Sequence, residues 1–203
     1  VVLLLRLHPP RVPRRGGGIT AAFANLAVGL RFVASHRTLI ATVVVTLNMN
    51  LLLFPYMHVV PVIARDILHV GPGLMGLLQA AAGLGTLAGA VAVASAASIG
   101  HHGRLYAGGA MLALLALLGF SASPWYLLSV PMLVALGLGV AGFSTMQPTI
   151  VMLVAREEMR GTALGVISLA IGVGPMGALL VGAVASATSA STALALNAAA
   201  GIA

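Results

Sequence analysis

From Leu105 to Ala155 the chain runs for 51 residues without one Arg, Lys, Asp or Glu. A helix that crosses a bilayer needs about 20 predominantly apolar residues. The stretch is therefore too long for one such helix and suits two. Ser121-Ala-Ser-Pro124 divides it, and Trp125-Tyr126 follow directly. Pro is favoured in a first helical turn, and Trp and Tyr favour the membrane–water interface. Leu39–Ala64 (26 residues) and Gly71–Gly100 (30 residues) are also free of formal charge. So is Gly161–Ala203, 43 residues divided by Ser186-Ala-Thr-Ser-Ala-Ser-Thr192. These breaks predict six spans, near 39–64, 72–98, 104–121, 124–155, 161–186 and 190–203, with the last cut short. The expected fold class is all-α: a polytopic membrane protein whose six transmembrane helices form one bundle.

Composition excludes the soluble alternative. Hydrophobic residues fill 60% of the 203 positions and charged residues 6%. Soluble domains carry roughly a quarter charged residues, so thirteen charges could not clothe this chain in water. They suffice where lipid is the solvent. The 25 glycines suit close helix contacts in a bilayer, where small residues let backbones approach.

All ten basic residues are Arg. The net charge of +7 could suggest nucleic acid, but aromatics make up only 4% and the chain is mostly apolar. Membrane orientation accounts for the charge better. When loops are assigned to alternating sides, Arg6, Arg11, Arg14, Arg15, Arg31, Arg37, Arg104, Arg156 and Arg160 fall on one side and only Arg65 on the other. The positive-inside rule places the nine in the cytoplasm. The expected location is the inner (plasma) membrane.

The first 38 residues differ in kind. Val1–Leu7 reads as the tail of a preceding transmembrane helix, and the chain as a fragment. His8-Pro-Pro-Arg-Val-Pro-Arg-Arg-Gly-Gly-Gly18 reads as a linker, because Pro and Gly interrupt regular structure. Ile19, Phe23, Leu26, Leu30 and Val33 then recur at helical spacing and form one apolar face. This segment, 8–38, is expected to be a cytoplasmic linker with an amphipathic helix. The helix could lie on the anionic leaflet, which Arg31 and Arg37 would suit. It could equally pack on the protein's own cytoplasmic face. Residues 39–203 would form the bundle.

Groups for enzyme chemistry are scarce. Asp66, Glu157 and Glu158 are the only carboxylates, and all lie in loops. His101-His102 could ligate a metal, but no third ligand is visible beside them. His58 and Ser144 could supply a base and a nucleophile, yet Ala141-Gly-Phe-Ser-Thr145 lacks the Gly-x-Ser-x-Gly frame. No catalytic residue, metal or cofactor is expected. Polar residues inside spans are costly and so become candidates for a pathway. They are Thr46, Asn48, Asn50, Tyr56 and His58 in the first span, Gln79 in the second, and Ser144, Thr145 and Gln147 in the fourth. Interhelical hydrogen bonding would explain any one of them as well. Asn48 and Asn50 stand about 200° apart on a helix, so both cannot face one cavity squarely. Pro55, Pro148 and Pro175 each fall within a span, where proline weakens a helix; each could mark a hinge or a static kink. Gly85-Thr-Leu-Ala-Gly89 and Gly161-Thr-Ala-Leu-Gly165 share the Gly-x-x-x-Gly close-packing spacing.

Several stretches carry a family resemblance. One is Phe54-Pro-Tyr56, followed by Ala64-Arg-Asp-Ile-Leu68 and Gly73-Leu-Met-Gly-Leu-Leu-Gln79. Another is Arg156-Glu-Glu-Met-Arg-Gly161 with Ala163-Leu-Gly-Val166 and Gly174-Pro-Met-Gly177. Together with the basic linker they resemble the C-terminal six-helix half of a major facilitator superfamily transporter. Within that group they are similar to bacterial drug and siderophore exporters of the enterobactin-exporter type. The chain departs from the family at its Gly-x-x-x-Asp-Arg-x-Gly-Arg loop, where only Gly103-Arg104 remains.

The resemblance implies secondary active efflux of a small amphiphilic molecule by alternating access, opposite the N-terminal six-helix half of the same transporter. Asn48, Asn50, Tyr56, Gln79 and Gln147 would line the cavity. Arg104, Arg156 and Arg160 would serve cytoplasmic closure. Partners would be the lipid bilayer, the other half, a small-molecule substrate and protons. No carboxylate lies within a span, so the main proton-carrying acid is expected in the other half. The alternative is a six-span permease subunit of an ATP-driven system.

Overall fold

The computed structural model describes residues 19–95 and 100–203, with side chains from Leu26 onward. The expected helix tail at 1–7 and linker at 8–18 lie outside the described residues.

Helix α1 (Ile19–Ala34) precedes the bundle. The first span, Arg37–Asp66, consists of α2 (Arg37–Asn48), a π-helical turn (Met49–Leu53) and α3 (Tyr56–Asp66). Then come α4 (Pro72–Ser95), α5 (His102–Ser121) and α6 (Tyr126–Val154). The fifth span, Glu157–Ala187, is divided into α7 (Glu157–Ile171) and α8 (Gly174–Ala187). Helix α9 (Ala190–Ile202) follows. Helices fall in all six expected segments, and among the described residues five are long and apolar enough to cross a membrane. The 13-residue α9 is about 20 Å long, short of a hydrocarbon core about 30 Å thick.

The ends of these helices follow from local chemistry. Ser189 caps α9 by accepting a hydrogen bond from the Thr192 backbone N–H at 3.1 Å. Glu157 and Glu158 occupy the first turn of α7, where negative charge meets the positive end of the helix dipole. His69, at φ 50°, reverses the chain between α3 and α4. Just before it, Arg65 and Asp66 form an exposed ion pair at 2.6 Å.

Helix α6 is the axis of the packing, and its glycines explain why. A Cβ on Gly137 would meet the Ala82 carbonyl of α4, and one on Gly85 would meet the Val134 carbonyl of α6. On the other flank, Gly109 of α5 and Gly139 of α6 face each other so closely that a Cβ on Gly109 would lie 2.6 Å from the Gly139 oxygen. Backbone touches backbone along both seams, the close approach that small residues permit in a bilayer. Gly85 and Gly89 of the first Gly-x-x-x-Gly motif both face α6. Gly161 and Gly165 of the second have open space around them. Phe120, Leu117, Leu133 and Leu136 fill the interior beside these seams, each fully buried. Leu84, Leu87, Leu115, Leu127, Leu153 and Leu179 point outward, each at least half exposed. That outward face requires lipid as solvent.

Helix α1 joins a second, smaller core. Val33 packs with Leu39, Val151, Ala163, Val166 and Ile167 where α1, α2, α6 and α7 meet. One side of the helix is thus docked on the protein's own surface.

Candidate functional site

The first span breaks where proline dictates. Pro55 has no N–H, and its ring would clash with the carbonyl four residues back, that of Leu51. The preceding turn widens instead: the Phe54 N–H donates to the Met49 oxygen at 2.9 Å, five residues back. Such π-turns recur at functional sites. The fifth span breaks at Gly172–Val173, and Pro175 enters the first turn of α8, where its missing N–H is harmless. Gly177 then packs on the carbonyls of Asn50 and Leu51. The two breaks are therefore in contact. Pro148 behaves differently and lies within an unbroken α6.

Two grooves flank the start of α3. The smaller, about 90 Å³, lies between Tyr56, Met57 and Val60 of α3 and Leu78, Gln79 and Ala82 of α4. The larger, about 580 Å³, runs between Phe54, Pro55 and His58 on one side and Gly174, Pro175 and Leu179 on the other. Met57 borders both and is 57% exposed. Its unbranched thioether gives the ridge between them an adaptable shape.

A polar cluster lies deeper. Gln147 Nε2 donates to Thr46 Oγ1 at 2.7 Å. Thr46 Oγ1 lies 3.0 Å from the Tyr106 hydroxyl, and the Tyr106 hydroxyl donates to the Thr42 carbonyl at 2.9 Å. Tyr106 stacks on Phe143 with ring centroids 5.1 Å apart. The cluster ties α2, α5 and α6 together in the interior.

The expected cavity residues therefore separate. Tyr56 and Gln79 share the smaller groove. Gln147 belongs to the Thr46–Tyr106 cluster. Asn50 Nδ2 donates to the Thr46 carbonyl at 2.9 Å, and Asn50 Oδ1 faces Gly174 at the second break. Asn48 turns away from both grooves and donates to the Gly201 carbonyl of α9 at 2.9 Å. Its Oδ1, like Asn197 Nδ2, is buried without a partner. Nothing in the local sequence singles out Tyr106, whose partners lie on other helices. Arg104, Arg156 and Arg160 are all exposed. Among the described residues Arg65–Asp66 is the only ion pair, and no three His, Asp or Glu side chains gather as a metal site.

Apolar helices of crossing length, lipid-type outer faces and polar groups held inside define a multi-pass membrane protein. The family model described as transmembrane secretion effector, of the major facilitator type, matches residues 8–203. The chain belongs to that family. No curated protein and no solved structure matches it.

Proposed function

We propose that this bundle exports a small amphiphilic molecule, of the drug or siderophore kind, by alternating access against a second, N-terminal six-helix bundle of the same transporter. The observation that carries the reading is the contact between two helix breaks, at Met49–Pro55 and Gly172–Pro175, beside an apolar groove. Discontinuous helices at mid-membrane are where secondary transporters bind and gate. Tyr56, Gln79 and Asn50 would offer hydrogen bonds to the polar part of the substrate, and the groove walls would take its apolar part. Gln147 would set the position of α6 through Thr46, and Asn48 would hold α9. The breaks at Pro55 and Pro175 would flex, with Pro148 a lesser hinge. Arg104, Arg156 and Arg160 lie at the end read as cytoplasmic, where they would close the inner mouth against the second bundle.

Proton coupling requires a titratable group in the membrane. Among the residues lining the two grooves none is a carboxylate, and His58 is the one imidazole. The main proton carrier is therefore assigned to the N-terminal bundle. The test is extrusion of a lipophilic fluorescent amine from proteoliposomes holding both bundles under an imposed proton gradient. Extrusion that follows the gradient and survives His58→Ala is expected. Loss of coupling in His58→Ala would move the proton carrier into this bundle. A requirement for ATP would make the chain a permease subunit instead.

A further inference from the structure

Helix α1 carries one charged residue, Arg31, in sixteen positions. One side of it is used by the protein. Gly29 sits against Thr162 and Val166 of α7 so closely that a Cβ would lie 2.7 Å from Thr162 Cγ2. Val33 is buried beside it, with Leu26 and Phe32 packed at the edge of the same core. The remaining arc holds Ala27, Val28, Leu30, Arg31 and Ala34, all exposed. At 3.6 residues per turn these five span about 160°. Val28 and Leu30 are each 50% exposed. A helix apolar on both faces is normally covered on both, and among the described residues only one face is.

The anchor points of α1 fix the depth of that open face. Only Ser35-His36 separates α1 from Arg37, where the first span begins. The junction is closed by local bonds: Ser35 Oγ donates to the Phe32 carbonyl at 2.7 Å, and the His36 N–H to the Val33 carbonyl at 3.1 Å. On its other side α1 rests on α7, whose first residue, Glu157, opens the fifth span. Both supports are membrane edges, so α1 lies at headgroup level. The charge there is mostly positive: Arg31, Arg37, Arg156 and Arg160 are exposed against Glu157 and Glu158.

We propose that the outward arc of α1 is a docking surface for anionic lipid, with Val28 and Leu30 entering the acyl boundary and Arg31 and Arg37 holding the phosphates. Interfacial helices bind through this pairing of apolar area with basic side chains. The occupant is lipid rather than a second protein bundle because acidic headgroups answer the unpaired arginines at that depth. The proposal depends on membrane embedding alone, so it stands or falls separately from efflux.

The chain has no cysteine, which makes the test direct. Leu30→Cys, in the full chain, carries a nitrobenzoxadiazole dye in vesicles of phosphatidylcholine with added phosphatidylglycerol. Shallow spin-labelled phosphatidylglycerol should quench the dye more strongly than spin-labelled phosphatidylcholine. Arg31→Gln and Arg37→Gln should each reduce that preference about fivefold. Val28→Cys repeats the measurement at a second exposed position and should agree. Equal quenching by the two lipids overturns the proposal. So does quenching by aqueous iodide alone, which means water covers the arc. A dye that neither reaches is covered by protein, which also overturns it.

Discussion

The bundle holds two helix groups built on opposite rules. In the α4–α6–α5 group, backbone carbonyls lie against bare glycine Cα atoms across both seams, at Gly85–Val134, Gly137–Ala82 and Gly109–Gly139. Nothing there can slide by an ångström without collision, because close-packed interfaces do not deform continuously. The first and fifth spans touch through Leu39 of α2 on α7 and through Gly177 on Asn50 and Leu51. Both are interrupted, one by a π-turn and one by a two-residue break, and a groove of about 580 Å³ opens beside them. A transporter needs a part that keeps its shape and a part that changes it. In this chain glycine serves both, by backbone contact in the first group and by room to bend in the second.

The sharpest way to break this comparison is Gly137→Leu. Its Cβ alone would overlap the Ala82 carbonyl, and α4 is held against α6 at Gly85 and Gly89 as well. A loss above about 4 kcal/mol is expected, read as failure to recover a monodisperse species in detergent. Gly165→Leu, with nothing within 4 Å, should fold like the parent. Equal behaviour of the two variants would remove the distinction between a locked and an open surface. Gly177→Val comes next. Its Cβ would meet the Leu51 carbonyl, but α8 can shift outward, because its remaining main neighbour is α9. Overpacking of this kind costs about 1–3 kcal/mol. The melting temperature in nanodiscs should fall, and efflux by the assembled transporter should fall further than stability alone explains. A variant that melts early but transports normally would deny the two breaks a moving role.

Much of this architecture could be read from residue types, and the failures have physical causes. The spans were legible because lipid tolerates few charges, so runs such as Leu105–Ala155 announce themselves. The two Gly-x-x-x-Gly motifs have identical spacing and opposite fates: Gly85 and Gly89 face α6, while Gly161 faces open space. Spacing defines a face but not its neighbour. Pro55 marked a weak point in the first span, yet the packing of Gly177 on the Leu51 carbonyl, from 126 positions away, has no local signal. Tyr106 and Gln147 meet Thr46 across sequence separations of 60 and 101 residues. No local pattern connects residues that far apart. The roughly 200° between Asn48 and Asn50 was readable, and the two amides do serve different neighbours, α9 and the second break.

The Thr46 cluster sharpens the comparison, because it bridges the two groups. Thr46 lies on the interrupted first span, whereas Gln147 and Tyr106 belong to the locked helices α6 and α5. Thr46→Val removes the shared hydroxyl and leaves Gln147 Nε2 without its partner. Side-chain hydrogen bonds in membranes average about 0.6 kcal/mol, and a stranded, partly buried donor raises the cost, so about 1 kcal/mol is expected in detergent unfolding. Thr46→Val with Tyr106→Phe should cost less than the sum of the two single changes. Strict additivity would mean that Thr46 and Tyr106 do not couple the two groups.

The smallest effect expected has the opposite sign. Gly182 lies in α8, exposed and with nothing within 4 Å of an added Cβ. Ala is the better helix former by about 0.8–1 kcal/mol, so Gly182→Ala should raise the unfolding midpoint of this chain modestly. The same change at Gly109 should lower it sharply, since a Cβ there would lie 2.6 Å from the Gly139 oxygen. One substitution with two signs is what a bundle of locked and open glycine faces requires. If Gly182→Ala destabilises the chain by itself, the open face of α8 already touches protein. The fifth span would then be held on both sides, and the mobile member of the pair would have to be the first.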